Sequence, residues 1–208
     1  TVMIDSNVKA IIFDFGGVLI NIDYDATIRA FKKLGIVDFD KMYSQASQSN
    51  LFNEIETGKI SAQRFINGIL DYLPSGTTPN KVVQAWNAMI LDVPLFAPTL
   101  LLKLKAEGYK IFLLSNTNEI HIEYAYRAWD RIFNKRPQEI FDHVYLSNEI
   151  GMRKPDIDIF RFVCNEQNLI PSKTLFIDDS IQHIHGAKKA GLQAIHLTSD
   201  RSLQELFS

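Results

Sequence analysis

Ala10-Ile11-Ile12-Phe13-Asp14-Phe15-Gly16-Gly17-Val18 is the stretch on which the reading of this chain turns. Residues 10–15 form an apolar run, too short for a helix and broken by a single acid, before a glycine pair that permits a sharp turn. Four similar runs follow at residues 109–115, 143–147, 174–178 and 193–198. Between the later ones lie helix-length segments with apolar residues three and four apart, such as Leu95, Leu101, Leu102 and Leu104, then Ile157, Phe160 and Val163. Gly108 and Gly191 each stand where a helix should stop and a strand begin. Strand and helix thus alternate, which argues for right-handed crossovers and an α/β fold: a doubly wound parallel sheet with helices on both faces.

One interval breaks the rhythm. Residues 21–92 carry no strand-like run, only amphipathic helical patterns interrupted at Gly35, Gly58 and Pro74-Ser75-Gly76. This reads as an inserted helical domain, with residues 1–20 and 93–208 forming the core. Within it Ser61, following Thr57-Gly58-Lys59, has the pattern of an N-cap after a glycine stop. Phe31, Phe65, Tyr72 and Trp86 are read mostly as the insert's own core.

Twenty-two basic and 24 acidic residues give a formal charge of -2 with no basic cluster, so no nucleic-acid partner is expected. Apolar runs are far shorter than the ~20 residues that cross a bilayer, so no membrane span is expected either. A lone Cys164, read as a core residue, and a start without a charged-then-apolar leader suggest a reducing cytoplasm. Nothing in the sequence indicates an oligomeric state.

In an open parallel sheet, ligands bind beyond the carboxyl ends of the strands. There the runs deliver Asp14, then Ser115-Asn116, then Asp178-Asp179, while Gly151-Met152-Arg153-Lys154-Pro155 follows the third run with a cation. Converging carboxylates repel unless something positive compensates, and a site with acids but no His or Cys cluster suits Mg2+. One oxygen of Asp14 could then attack phosphorus while Ser115, Asn116 and Lys154 hold the transferring oxygens. Taken singly, each of these residues has a plain structural reading as a cap, a turn or a solvated charge; only the constellation argues otherwise. The five histidines show no metal-ligand spacing and receive no role.

This order of elements resembles the haloacid dehalogenase-like superfamily, whose four motifs map onto Asp14, Ser115, Lys154 and Asp178-Asp179 over nearly the whole chain. The resemblance implies a Rossmannoid core with residues 21–92 as a small helical cap that closes over the site. It also implies direct magnesium ligation by Asp14, Asp179 and the backbone carbonyl of Gly16, with Asp178 acting through water. Asp23 and Tyr24, just past the first motif, become candidate substrate contacts. Two positions after the nucleophile, phosphatases of this type carry a second Asp as general acid and base; here stands Gly16. Such a group is typically worth ~10²–10⁴ in rate. Dehalogenase, phosphonatase and α-D-glucose-1-phosphate phosphatase branches share the gap, and Leu114-Ser115-Asn116-Thr117-Asn118 looks most similar to the last. An anomeric oxygen leaves as a stabilised hemiacetal alkoxide and needs less protonation. The resulting expectation is a magnesium-dependent phosphatase acting on a small phosphorylated metabolite such as a sugar phosphate, through an aspartyl-phosphate. A 2-haloacid dehalogenase and a degenerate metabolite- or partner-binding protein are the alternatives.

Overall fold

The computed structural model describes residues 4–44, 47–48 and 50–208. Its strands are β1 (Ala10–Phe13), β2 (Tyr43–Ser44), β3 (Ser47–Gln48), β4 (Lys110–Ser115), β5 (His143–Leu146), β6 (Thr174–Asp178) and β7 (Gln193–His196). Its helices are α1 (Tyr24–Leu34), α2 (Phe39–Met42), α3 (Asn50–Glu56), α4 (Ala62–Leu70), α5 (Pro79–Asn87), α6 (Phe96–Ala106), α7 (Glu119–Asp130), α8 (Pro137–Ile140), α9 (Ser147–Ile150), α10 (Ile157–Glu166), α11 (Ile181–Lys189) and α12 (Leu203–Leu206).

Five strands form one parallel sheet in the order β5-β4-β1-β6-β7. Side chains alternate across it as the two-residue period requires. Ile11, Phe13, Ile111, Leu113, Leu175 and Ile177 face one layer. Ala10, Ile12, Phe112, Leu114 and Phe176 face the other, against α10 and α11. The chain leaves β1 for β4 and β5, then returns to β6 on β1's opposite side, so the switch in strand order falls at β1.

The five expected strands are all present, four of them shorter than expected and β6 matching in full. β1 stops at Phe13 because Phe15 turns away, its carbonyl accepting from Val18, Leu19 and Ile20. β5 stops at Leu146 because Ser147 already begins α9. Gly108 and Gly191 adopt φ of +91° and +92°, the glycine stops anticipated before β4 and β7. In α6, Leu101 and Leu104 are buried, but Leu95 and Leu102 of the expected stripe are exposed.

Between β1 and α6 the named elements are helices apart from the two-residue antiparallel pair β2-β3, which no sequence pattern indicated. Ser61 caps α4 as expected, accepting from the Arg64 N–H. Phe31, Phe65 and Trp86 are buried, whereas Tyr72 is exposed and belongs to no core. A chain of aromatic rings, Phe31, Phe39, Phe52, Phe65 and Trp86, ends in a stack of Trp86 on His121 of α7 at 4.2 Å. This segment and one face of the sheet therefore share a continuous apolar cluster. The segment's two crossings run side by side: the Asn21 N–H donates to the Asp92 carbonyl, and the Leu91 N–H to that of Asn21, each at 2.9 Å. Among the described residues no helix is long and apolar enough to cross a membrane.

Candidate active site

Because Phe13 is level with Leu113 on one side and Ile177 on the other, Asp14 emerges one step beyond, between the ends of β4 and β6. Its backbone N–H still donates to the Ile177 carbonyl at 3.0 Å, which anchors it to the sheet. Its Oδ1 accepts from the Phe15 N–H at 2.7 Å and from Lys154 Nζ at 2.8 Å.

Lys154 is wholly buried, and its ammonium spends its bonds on three acceptors: Asp14 Oδ1, Asp178 Oδ2 at 2.7 Å and the Leu114 carbonyl at 2.9 Å. Burial alone would lower its pKa, but the adjacent Asp14 and Asp178 outweigh that and hold it above its ordinary value. The side chain of Asn116 is committed elsewhere than expected. Its Nδ2 donates to the Lys154 carbonyl at 2.8 Å and its Oδ1 accepts from the Lys154 N–H at 2.9 Å. An amide has both a donor and an acceptor, so Asn116 clamps the backbone of residue 154 as a neighbouring strand would.

Asp178 is equally committed: Oδ1 accepts from the Ser180 N–H at 2.8 Å, and Oδ2 takes Lys154 together with His183 Nδ1 at 2.9 Å. Burial pushes its carboxyl up, but Lys154 and His183 win and keep it well below the usual carboxylate range. Asp14 is displaced the other way, raised by burial and then by Asp178, with Lys154 only partly compensating. Burial and Asp178 push Asp179 up to about 6. Gly17, at φ +78°, explains how Asp179 comes so close to the turn: a Cβ there would lie 2.1 Å from Asp179 Oδ2.

Asp14, Gly16, Ser115, Asn116, Lys154, Asp179 and Tyr24, all singled out in the sequence, line one cavity of about 100 Å³. Asp23 does not join them. It is the N-cap of α1, accepting from the Asp25 N–H, and it pairs with Arg29 at 2.9 Å on the surface. Asp178 is also absent from the lining, lying behind Lys154. Among the described residues, Asp14, Asp178 and His183 form a group of possible metal ligands whose ligand atoms lie within 4.8 Å of one another. With Lys154 donating to both of its acids it is a hydrogen-bonded network around an ammonium, a poor place for a second cation. The open acid positions belong to Asp14 and Asp179.

Several lining residues received no role in the sequence reading. His183, which burial holds below its ordinary pKa, sits in the first turn after β6, and that position could have flagged it. Arg153 stood unassigned beside Lys154. Tyr43 and Glu56 reach the cavity from the segment between β1 and α6, where only three-dimensional proximity reveals them. The position of the absent acid is crowded on one side: a Cβ on Gly16 would lie 3.0 Å from Ile22 Cγ1, so the isoleucine side chain would have to shift.

A parallel sheet with an aspartate-bearing turn, a buried lysine and further acids at its carboxyl edge is an arrangement suited to hydrolytic chemistry built around an aspartate. A profile of the haloacid dehalogenase-like hydrolases matches residues 8–191. The chain is 36% identical over 186 residues to a D-ribitol-5-phosphate phosphatase of Bacteroides thetaiotaomicron, covering 89% of this chain and 90% of that one. It is 27% identical to a sesquiterpene phosphatase of Aspergillus oryzae, covering 91% and 90%. Among solved structures, a family enzyme from B. thetaiotaomicron in complex with magnesium and inorganic phosphate superposes with a TM-score of 0.85 at 31% identity, covering 97% of this chain and all of that one. The chain belongs to the haloacid dehalogenase-like hydrolase family.

Proposed function

We propose that this protein is a magnesium-dependent phosphatase of a small polyol or sugar phosphate, working through an aspartyl-phosphate on Asp14. The observation that carries the reading is the buried Lys154, which holds Asp14 by one oxygen at the mouth of a cavity that also presents Ser115 and Asp179. With Oδ1 held by Lys154 and the Phe15 N–H, Oδ2 is the oxygen that attacks phosphorus. The ester P–O bond breaks, the departing oxygen takes a proton from water, and a second water attacks phosphorus to release phosphate and restore Asp14. Ser115 holds a transferring oxygen through its hydroxyl; Asn116 serves by fixing residue 154.

The donors suit magnesium. Asp14, Asp178 and Asp179 face a single lysine, and His183 is kept neutral, so the cluster is net negative and supplied with hard oxygen donors. Asp14, Asp179 and the Gly16 carbonyl would hold the ion, with Asp178 behind them; the ion would offset charge on the transferring phosphoryl group. Residues 21–92 would form the cap that excludes water and selects the substrate. Dehalogenation would leave these acids without a purpose.

Phosphate release from D-ribitol 5-phosphate and related esters should require magnesium and vanish in chelator. Its absence across such a panel would refute the reading. Protons compete with the metal because Asp179 titrates near 6 and Asp14 is raised as well. Both folded values lie above the unfolded carboxylate range, so the metal-free protein is expected to lose stability as pH rises from about 4 through 6. Magnesium should restore it only where these acids are ionised. The gain in Tm on adding magnesium should therefore be small at pH 5 and full at pH 7.5; a gain independent of pH would contradict these ligands.

A further inference from the structure

We propose that Glu56, paired with Arg153, reads hydroxyl groups on the alcohol half of the substrate and selects phosphate esters of short polyols over esters of bare carbon chains. The inference rests on the phosphatase reading above and deepens it.

The cavity has two compartments. One, about 100 Å³, contains Asp14 and Lys154; the other, about 80 Å³, lies beyond Gly16 toward Thr117 and His121. Tyr24, Tyr43 and Glu56 line both, so they stand where the carbons next to a bound phosphate would pass. The second compartment is walled in part by Ile20, Ile22, Met89 and Ile90. Among its described lining residues Glu56 is the only carboxylate, and none is a lysine or arginine.

A buried carboxylate in such surroundings is costly unless paired, and Arg153 supplies the pairing at 2.7 Å between Nη2 and Oε2. The pair spans a donor-only and an acceptor-only group side by side. A hydroxyl both donates and accepts, so a chain bearing adjacent hydroxyls can bond to both groups at once, while a bare alkyl chain can bond to neither. Burial, and for Tyr43 the nearby Glu56, hold both tyrosine hydroxyls protonated and able to donate. His121 is pushed down to about 4 by burial; with Nε2 donating to the Trp86 carbonyl at 2.9 Å, its Nδ1 is an acceptor. At about 10–15 Å³ for each water-sized group, the second compartment has room for roughly five to eight, the bulk of a three- to five-carbon polyol.

A different role for the same pair is a latch. Glu56 ends α3, and just beyond it Gly58 lies so close to the core that a Cβ would come within 2.1 Å of the Asn148 carbonyl oxygen. A latch would serve every substrate alike, and this separates the two roles. The decisive comparison is kcat/KM for D-ribitol 5-phosphate against n-pentyl phosphate, with magnesium, in wild type, Glu56→Gln and Glu56→Asp. Wild type should prefer the polyol ester. Glu56→Gln, which preserves volume, should lose about 10–100-fold more on the polyol ester than on the alkyl ester, as expected for a charged hydrogen bond. Glu56→Asp should recover part of that preference. Equal losses on both esters, or a wild type indifferent to the hydroxyls, would overturn the assignment while leaving the phosphatase reading intact. Failure of wild type to release phosphate from either ester would overturn both.

Discussion

Lys154→Met should destabilise the protein by about 3–5 kcal/mol, the usual cost of removing one partner from a buried ionic cluster. The ammonium bonds Asp14, Asp178 and the Leu114 carbonyl, and methionine replaces none of these bonds. Asp14, already raised by burial and by Asp178, would take up a proton, and a protonated carboxyl cannot attack phosphorus. Stability and turnover should therefore fall together. Urea denaturation at pH 7 checks the first and phosphate release the second. Adding Asp178→Asn to Lys154→Met should return part of the lost stability, because the two changes share one network. Strict additivity would mean that Lys154 stabilises the fold by packing on Phe176, 5.3 Å from its ammonium, and not by compensating the acids.

Asp14→Asn should lower phosphate release by at least about 10⁴-fold, since it removes the attacking atom and not merely a contact. The same change should leave the metal-free fold as stable as wild type or more so. Ionised Asp14 is disfavoured by burial and by Asp178, so a neutral amide of equal size relieves repulsion while the Phe15 N–H retains an acceptor. A thermal melt in chelator distinguishes this from unfolding. Residual turnover near wild type would remove Asp14 from the chemistry.

Much of this arrangement was legible in the sequence because it depends on short-range rules. Apolar runs too short for helices and glycines at helix stops are local signals, and they gave the five strands and their alternation with helices. Acids and a serine at strand ends sit at the sheet's carboxyl edge by topology alone, so Asp14, Ser115 and Asp179 could be located before any coordinates. What spacing leaves open is direction. Asn116 and Asp178 stand at the right strand ends, but their polar atoms turn inward to Lys154, and no spacing reveals that. Asp23 follows the first motif closely in sequence, yet a helix begins there and claims it as a cap. Glu56 and Tyr43 come from the segment between β1 and α6, which meets the sheet's helices through long-range packing such as Trp86 against His121.

The central claim is that Asp14 transfers the phosphoryl group in two displacements at phosphorus. It is tested most directly by the stereochemical course of hydrolysis, using a phosphorothioate ester made chiral at phosphorus with oxygen isotopes, in labelled water. Two in-line displacements each invert, so net retention of configuration is expected in the released thiophosphate. Net inversion would mean that water attacks the ester directly, and Asp14 would then be a ligand or a base but not the nucleophile.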